Sequence, residues 1–437
     1  MRGGSGHLVI RGARIIDPSQ GVDQVGDLLI DRGRIAGLGD GYVSGGVEVL
    51  NADGLVVCPG FVDIHCHLRE PGFGEKETIA SGTRAAAVGG FTAVCCMGNT
   101  NPPLDNRATV EWVKQKAEME GVVQVFPVGC ISRGRRGEEL TDMTELADAG
   151  VVAFSDDGDT PRSSGLMRRA LEHARELGLP IMDHCQDKTL DGRGVVNEGV
   201  ASARLGVEGI PAAAEEITVA RDLLLAKLTG GRVHISHVST GCSVRLIRYA
   251  RENGVPVSAE VTPHHLTLTE ERVVAGMHAA DAKMYPPLRT EDDVRCLIEG
   301  LGDGVIDAIA TDHAPHTLLD KNCRVEQAAF GVSGFETALG CLMGLVHRGE
   351  IILATLVSKL TCEPAKIIGK ENVLGSLRVG CPANVTVLDT DREWVVDRRT
   401  FASKGQNTPF DGCQFRGKVV ATVVNGRVVY SDDSLCW

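Results

Sequence analysis

The sequence predicts an α/β fold, a (β/α)8 TIM barrel with a small β domain built from its two ends, and three observations carry that prediction. Eight short runs rich in β-branched and apolar residues alternate with helical stretches. Nearly every run ends in polar residues. The two terminal segments instead string short strands together with turn signals between them.

Residues 1–56 open with "HLVIRGARIID", "GDLLIDRGRIAGLG" and "VEVLNADGLVVCPG", which read as a small antiparallel sheet. Residues 57–372 hold the barrel. Its runs are "GFVDIHCH", "FTAVCCMGN", "VVQVFPVGC", "VVAFSDDG", "PIMDHCQD", "RVHISHVS", "PVSAEVTPHH" and "IDAIATDHAPH". Between them lie helical patterns such as "RATVEWVKQKAEME", "SSGLMRRALEHARELG" and "EEITVARDLLLAKLTG". Residues 373–437 return to β texture in "ANVTVLDTD", "EWVVD" and "KVVATVVNGRVVY", with Asn425-Gly426 as a two-residue hairpin turn. The two ends are expected to pair in one small domain.

Composition narrows the class of function. Apolar residues make up 43% and charged residues 24% of 437, the profile of an ordinary globular protein. The 45 basic and 58 acidic residues leave a net charge of -13, which argues against a nucleic-acid or anionic-membrane surface. No apolar run approaches the roughly 18 residues of a membrane span, and the first residues lack a secretory h-region, so a cytoplasmic protein is expected. The 14 cysteines form no C-x-x-C pair and read as reduced core residues.

The chemistry sits at the strand ends. Residues two apart on a strand share a face, so His65 and His67 both aim into the barrel mouth. An H-x-H alone could equally be a pair of hydrogen-bonded core histidines. The other runs decide between the two: they end with Asp156 and Asp157, His184, His237, and Asp312 and His313. Imidazole and carboxylate suit zinc and its neighbours in a water-bearing catalytic site, and barrel enzymes place their chemistry at the C-terminal ends of the strands.

The blocks "DIHCHLREPG", "MGNTNP", "AFSDDG", "DHCQD", "NEGVASARLGVEGIPAAAEEI", "VHISHVST", "AEVTPHHLTLT", "PPLR", "ATDHAPHT", "AFGVSG" and "GSLRVGCPANVTVLD" give the chain a resemblance to the dihydroorotase family of the amidohydrolase superfamily, of the bacterial type with an aspartate-bridged metal centre. That resemblance implies one or two Zn2+ per subunit, with His65, His67 and Asp312 on one metal, His184 and His237 on the other, and Asp157 between them. An anionic bridge suits two cations held close together. Asp156 and His313 are left for structural or supporting roles.

For the substrate, the resemblance implies contacts from His67, Arg69, Asn99, Tyr285, His316 and the backbone of Phe330 and Gly331. Arg69 offers a guanidinium that can bind a carboxylate through two parallel bonds. A surface arginine, a turn-forming Asn99 and a solvent-facing His316 are the plainer alternatives. Tyr285 departs from the family, which usually has asparagine before "PPLR"; a phenol replaces an amide's paired donor and acceptor.

The activity implied is reversible hydrolysis of the cyclic amide of dihydroorotate to N-carbamoyl-L-aspartate in pyrimidine biosynthesis, with Asp312 as the proton carrier. A homo-oligomer and an association with aspartate transcarbamoylase are also open. One rival is a hydantoinase- or allantoinase-like amidase, which is expected to carry a carboxylated lysine at the fourth strand, where "VVAFSDDG" has none. The other is a catalytically silent partner of the transcarbamoylase, which is expected to have lost metal ligands.

Overall fold

The computed structural model describes residues 7–39, 41, 48–274, 279–433 and 435. Barrel strands Phe61–Cys66 and Phe91–Cys96 are buried at every residue, as parallel strands covered on both faces must be. Strand Gln124–Pro127 follows beside them, and Ile181–Asp183, Val233–Ile235, Val257–Val261 and Ala308–Ile309 form a second parallel group.

The two groups join at the fourth position. The run "VVAFSDDG" contributes a bridge at Phe154, which pairs with Gly129 on one side and Ile181 on the other, rather than a full strand. Ser155 N–H to Gly129 O and Met182 N–H to Phe154 O, both 2.8 Å, carry the sheet across. The remaining seam closes where Cys66 pairs with His313 and the His67 N–H donates to the His313 carbonyl at 2.9 Å. Asp63 locks it from within, accepting from the Thr311 N–H at 2.9 Å and its hydroxyl at 2.6 Å.

Side-chain caps start the outer helices. Thr78, Asn106, Ser163, Thr240 and Thr290 each accept a backbone N–H from the first turn of the helix that follows, satisfying a donor the helix leaves free.

The terminal segments share one eight-stranded sheet, and Val56–Pro59 pairs antiparallel with Val385–Val395 to join the two ends. That strand crosses the expected boundary at residue 56. The sheet is also mixed rather than antiparallel: His7–Asp17 pairs antiparallel with Val22–Asp31 but parallel with both Glu48–Asn51 and Val56–Pro59. The chain passes from Glu48–Asn51 into Val56–Pro59 alongside the same long strand, so both run in its direction. The turn at Asn425-Gly426 forms as the dipeptide predicts, with φ of 49° and 76°. Its tip packs on Gly33, where a Cβ would lie 2.8 Å from the Asn425 carbonyl oxygen.

Candidate metal centre

The polar strand ends converge on Asp157. Its Oδ1 lies 3.1 Å from His65 Nε2, 3.5 Å from His184 Nδ1 and 3.6 Å from His237 Nε2, while its Oδ2 lies 3.5 Å from His67 Nε2. One carboxylate thus faces four imidazoles, with a different oxygen toward His67. Asp312 Oδ1 completes the group, 3.0 Å from His67 Nε2 and 3.8 Å from His65 Nε2. The ligand atoms of His65, His67 and Asp312 lie within 4.8 Å of one another, as do those of His65, Asp157 and His237.

Hydrogen bonds on the far sides of the rings set which nitrogen is free. His65 Nδ1–H donates to Glu260 Oε1 at 2.6 Å and His67 Nδ1–H to Asn99 Oδ1 at 2.9 Å, which turns both Nε2 lone pairs toward the cluster. His65 Nε2 and Asp157 Oδ1 are buried and form no hydrogen bond. With Nδ1–H spent on Glu260, a neutral His65 would turn a lone pair at the Asp157 oxygen 3.1 Å away, so the contact needs a positive charge, a proton or a metal ion, between the two atoms. His184 Nδ1 and His237 Nε2 lie 2.8 Å apart, a hydrogen bond in which one of the two nitrogens carries the proton. The donor set, all imidazole and carboxylate with outer hydrogen bonds in place, fits divalent metal.

The local field favours positive charge. Burial alone would raise the Asp157 carboxyl, but His65, His184 and His237 hold it well below the usual carboxylate range. Burial opposes ionisation of Glu260 as well, yet His65 and His234 hold it down to about 2. Burial also pushes the His65 imidazolium toward losing its proton, and the flanking carboxylates of Asp157 and Glu260 outweigh it and raise the group well above its ordinary value. His184, with His237 beside it, is pushed down by burial and by that neighbour.

Strain marks the same positions. Among the described residues, six non-glycines have positive φ, and three of them are Arg69 at 63°, His237 at 33° and Asp312 at 45°. Such residues persist where the surroundings over-determine them.

A cavity of about 410 Å3 opens over the cluster, lined by His67, Asn99, Asp157, His184, His237 and Asp312, and by Arg69, Tyr285, Phe330 and Gly331. Arg69 is held by its Nε–H to the Pro315 carbonyl at 3.1 Å. His316 stands behind it. Its Nε2–H donates to the Phe330 carbonyl at 2.8 Å, leaving Nδ1 to accept from Lys76 at 3.4 Å. Burial and the charges of Arg69, Lys321 and Lys76 hold His316 down at about 2, so it is a neutral ring beside a guanidinium.

Several residues expected to meet a substrate are engaged within the protein. Asn99 gives its oxygen to His67, and its Nδ2 lies 3.5 Å from Asp157 Oδ2. The Tyr285 hydroxyl donates to Asp191, and its ring stacks on His184 with centroids 4.7 Å apart. The Gly331 N–H donates to the Lys283 carbonyl at 3.0 Å and its own carbonyl accepts from Asn407 at 3.0 Å. Gly331 has a φ of 132°, and a Cβ there would lie 2.7 Å from that of Ala314. Asp156 faces away from the cluster, accepting from the Ser132 N–H at 3.0 Å and from its hydroxyl. His313 stacks on Phe335 at 4.1 Å.

Two features were not singled out in the sequence. Glu260 is the one charged residue in a strand of valine, serine and alanine, and that isolation is the signal that could have found it. The wall formed by Lys188, Asp191, Gly192 and Gly194 carries no pattern tying it to the strand ends.

Comparisons with known proteins bear on the family to which the chain belongs. The model of the family described as "Dihydro-orotase-like" matches residues 54–243, and that of the "Amidohydrolase family" matches residues 204–430. The dihydroorotase of Thermoanaerobacter sp. (strain X514) is 50% identical over 428 residues, covering 98% of each chain. That of Geobacter metallireducens is 48% identical, covering 97% of this chain and 99% of its own. Among solved structures, the L-hydantoinase (dihydropyrimidinase) of Arthrobacter aurescens superposes with a TM-score of 0.87 at 26% identity, over 98% of this chain and 97% of its own. The dihydropyrimidinase of Brevibacillus agri, at 22% identity, a TM-score of 0.85 and coverage of 97% and 95%, shares the fold. The matched relatives, running end to end along a chain whose barrel-mouth imidazoles surround a single aspartate, assign it: the chain belongs to the dihydroorotase family, within the amidohydrolases.

Proposed function

We propose that the protein is a zinc-dependent dihydroorotase, interconverting dihydroorotate and N-carbamoyl-L-aspartate in the cytoplasm for pyrimidine synthesis. The observation that carries this reading is one cavity holding both the Arg69 guanidinium and the cluster around Asp157. Dihydroorotate has a carboxylate beside a cyclic amide, and a site for it needs an anion receptor next to a hydrolytic centre.

His65, His67 and Asp312 would hold one metal and His184 and His237 a second, with Asp157 shared between them. When bound, the metals supply Lewis acidity toward the ring carbonyl and acidify water at neutral pH. The protein's own groups do the rest. Arg69 binds the substrate carboxylate and thereby fixes the ring. Asp312 accepts the proton of the attacking water on its carboxylate and delivers it to the amide nitrogen as the ring C–N bond breaks; in reverse it closes the ring. Its carboxyl is held well below the ordinary range, against burial, by His67 and His65, so it starts ionised and ready to accept. Glu260 and Asn99 hold His65 and His67 in the tautomers that leave Nε2 free.

His67 also reaches the cavity and can touch the substrate, as can the Tyr285 ring and the Phe330–Gly331 segment. His316 acts at one remove, through Arg69 and the Phe330 carbonyl. A chain divided into a barrel and a sheet of both termini, near residues 59 and 372, fits this reading. Association with aspartate transcarbamoylase belongs to it as well, and co-purification tests that separately.

The hydantoinase reading has the structural likeness in its favour. Against it stands Asp157, a carboxylate of the chain itself at the position where a modified lysine is expected. The metal-loaded protein should turn over dihydroorotate and N-carbamoyl-L-aspartate with kcat/KM far above that for hydantoin or allantoin. Preference for either of those rings would replace this proposal with the rival.

A further inference from the structure

The loop after strand Gln124–Pro127 carries three arginines in "SRGRRGE", and they differ in direction. Arg133 and Arg136 are exposed. Arg135 turns inward, half-buried, with a φ of 56° that a residue other than glycine rarely adopts. It is another of the positive-φ residues, and such strain persists where the surroundings over-determine it. What surrounds its guanidinium is the turn that follows Phe154 and holds Asp157.

Arg135 Nη2 donates to the carbonyl of Asp157, to the carbonyl of Asp156 at 3.2 Å and to the carboxylate of Asp159 at 3.1 Å. Three oxygens of one turn thus converge on a single cationic nitrogen. The Asp157 peptide is held on its other side as well, its N–H donating to the Ser155 hydroxyl at 3.1 Å. The next residue is Gly158, with a φ of 78° and no side chain to lodge the backbone, so a pivot there is easy unless something grips the turn. Such a pivot would swing the Asp157 carboxylate. That carboxylate turns one oxygen to His65, His184 and His237 and the other to His67, a division that depends on where its backbone sits.

We infer that Arg135 is a positioning residue for Asp157, clamping the peptide of this aspartate and thereby the arrangement of ligands that the cluster offers to metal. The inference rests on the proposal that Asp157 is the ligand shared between two metals. Arg135 meets the carbonyl rather than the carboxylate, so it acts through the backbone. Asp159 extends the clamp, because its second oxygen pairs with Lys188, which lines the cavity. The segments after the third, fourth and fifth strands are joined in this way through one guanidinium.

Cobalt(II) binding to the full-length, metal-free protein tests the inference, since the ion reports affinity and, through its visible absorption, the geometry of its ligands. Arg135→Met, which keeps much of the side chain's bulk, should weaken cobalt binding about tenfold to 100-fold, the range for partners that orient metal ligands, and should shift the absorption bands. Arg136→Met, one residue on and exposed, should leave both native. Melting of the metal-free variants separates orientation from folding. If Arg135→Met melts well below the native chain, Arg135→Lys decides: its ammonium, on a shorter arm, cannot reach all three oxygens, so the bands should shift at a native melting temperature. Native affinity and bands in Arg135→Met, equal losses in Arg136→Met, or native bands in Arg135→Lys where that variant decides would overturn the inference. A native protein that binds no cobalt would overturn the shared-ligand assignment along with it.

Discussion

Glu260 offers the sharpest test of how the centre is built, because it does not line the cavity over the cluster and yet holds one of the rings that face Asp157. Its Oε1 accepts from His65 Nδ1 at 2.6 Å and from the His237 N–H at 3.3 Å, and its Oε2 accepts from His234 Nε2 at 3.1 Å. Glu260→Gln keeps the shape. The amide oxygen can take the Oε1 position, and the amide N–H2 can donate to His234, whose Nδ1 can then donate to the Ser258 hydroxyl 2.8 Å away. Only the charge is lost, so a charge-assisted bond to His65 becomes a neutral one, a difference of about 1 kcal/mol. Glu260→Ala goes further, leaving the buried Nδ1–H of His65 without an acceptor and the ring free to turn. Metal affinity should therefore fall about tenfold in Glu260→Gln and about 100-fold in Glu260→Ala, the range found for partners that orient metal-bound histidines. Competition for zinc against a buffered chelator measures both, alongside thermal unfolding of the metal-free proteins to separate affinity from folding. If both variants hold metal as the native protein does, His65 is oriented by packing alone and the tautomer argument fails.

Asp157→Asn should lower metal occupancy much more than Asp156→Asn, whose carboxylate faces Ser132 instead; equal metal content in the two would remove Asp157 from the centre. Tyr285→Phe should change kcat/KM for dihydroorotate by less than about threefold, since the hydroxyl serves Asp191 and the ring stays on His184, whereas Tyr285→Asn, which removes the ring, should change it about tenfold, or roughly 1.4 kcal/mol. Acid should destabilise the fold through buried neutral histidines. His316 is held down at about 2, and His265 is pushed well below its ordinary value by burial and by His264. The unfolded chain takes up those protons near pH 6.5 and the folded chain does not, so stability is lost as pH falls below about 6.5, by up to about 1.4 kcal/mol per group per pH unit. His265→Gln should flatten the fall in melting temperature between pH 7 and 5; an unchanged slope would show that His265 does charge in place.

The barrel was legible because its signals are local. The alternation of apolar runs with capped helices needs no knowledge of what pairs with what, and nearly every run announces its C-terminal end with polar residues. The fourth run shows the limit. Its "VVAF" has the composition of a strand, but only Phe154 pairs, because the chain leaves the sheet early to bring Asp157 under the four imidazoles. The mixed pairing in the terminal sheet was hidden for a related reason: strand direction depends on which neighbour a strand finds, and alternation of side chains does not encode it.

At the site, what the sequence revealed was the set of groups, and what it could not reveal was how they are already occupied. A residue type tells what bonds a side chain is able to make, and only the fold tells which of them are spent. Asn99, read as a donor to substrate, uses its oxygen to orient His67. Tyr285, read as a hydroxyl replacing an amide, offers the cavity a ring whose hydroxyl belongs to Asp191. The backbone at Gly331 is tied at both its N–H and its carbonyl, so a substrate there meets a fixed wall rather than free hydrogen-bonding groups. Each of these engagements removes a freedom that binding would otherwise have to freeze, and together they leave Arg69 as the cationic arm of the pocket that stands beside the metal cluster, with neutral His316 behind it. Recognition of the substrate carboxylate is therefore concentrated on one guanidinium. Arg69→Lys, which keeps the charge but not the fork, should raise KM for dihydroorotate at least about tenfold while metal content stays native. An unchanged KM would move the anion receptor elsewhere in the cavity, with Lys188, which also lines it, the next group to test.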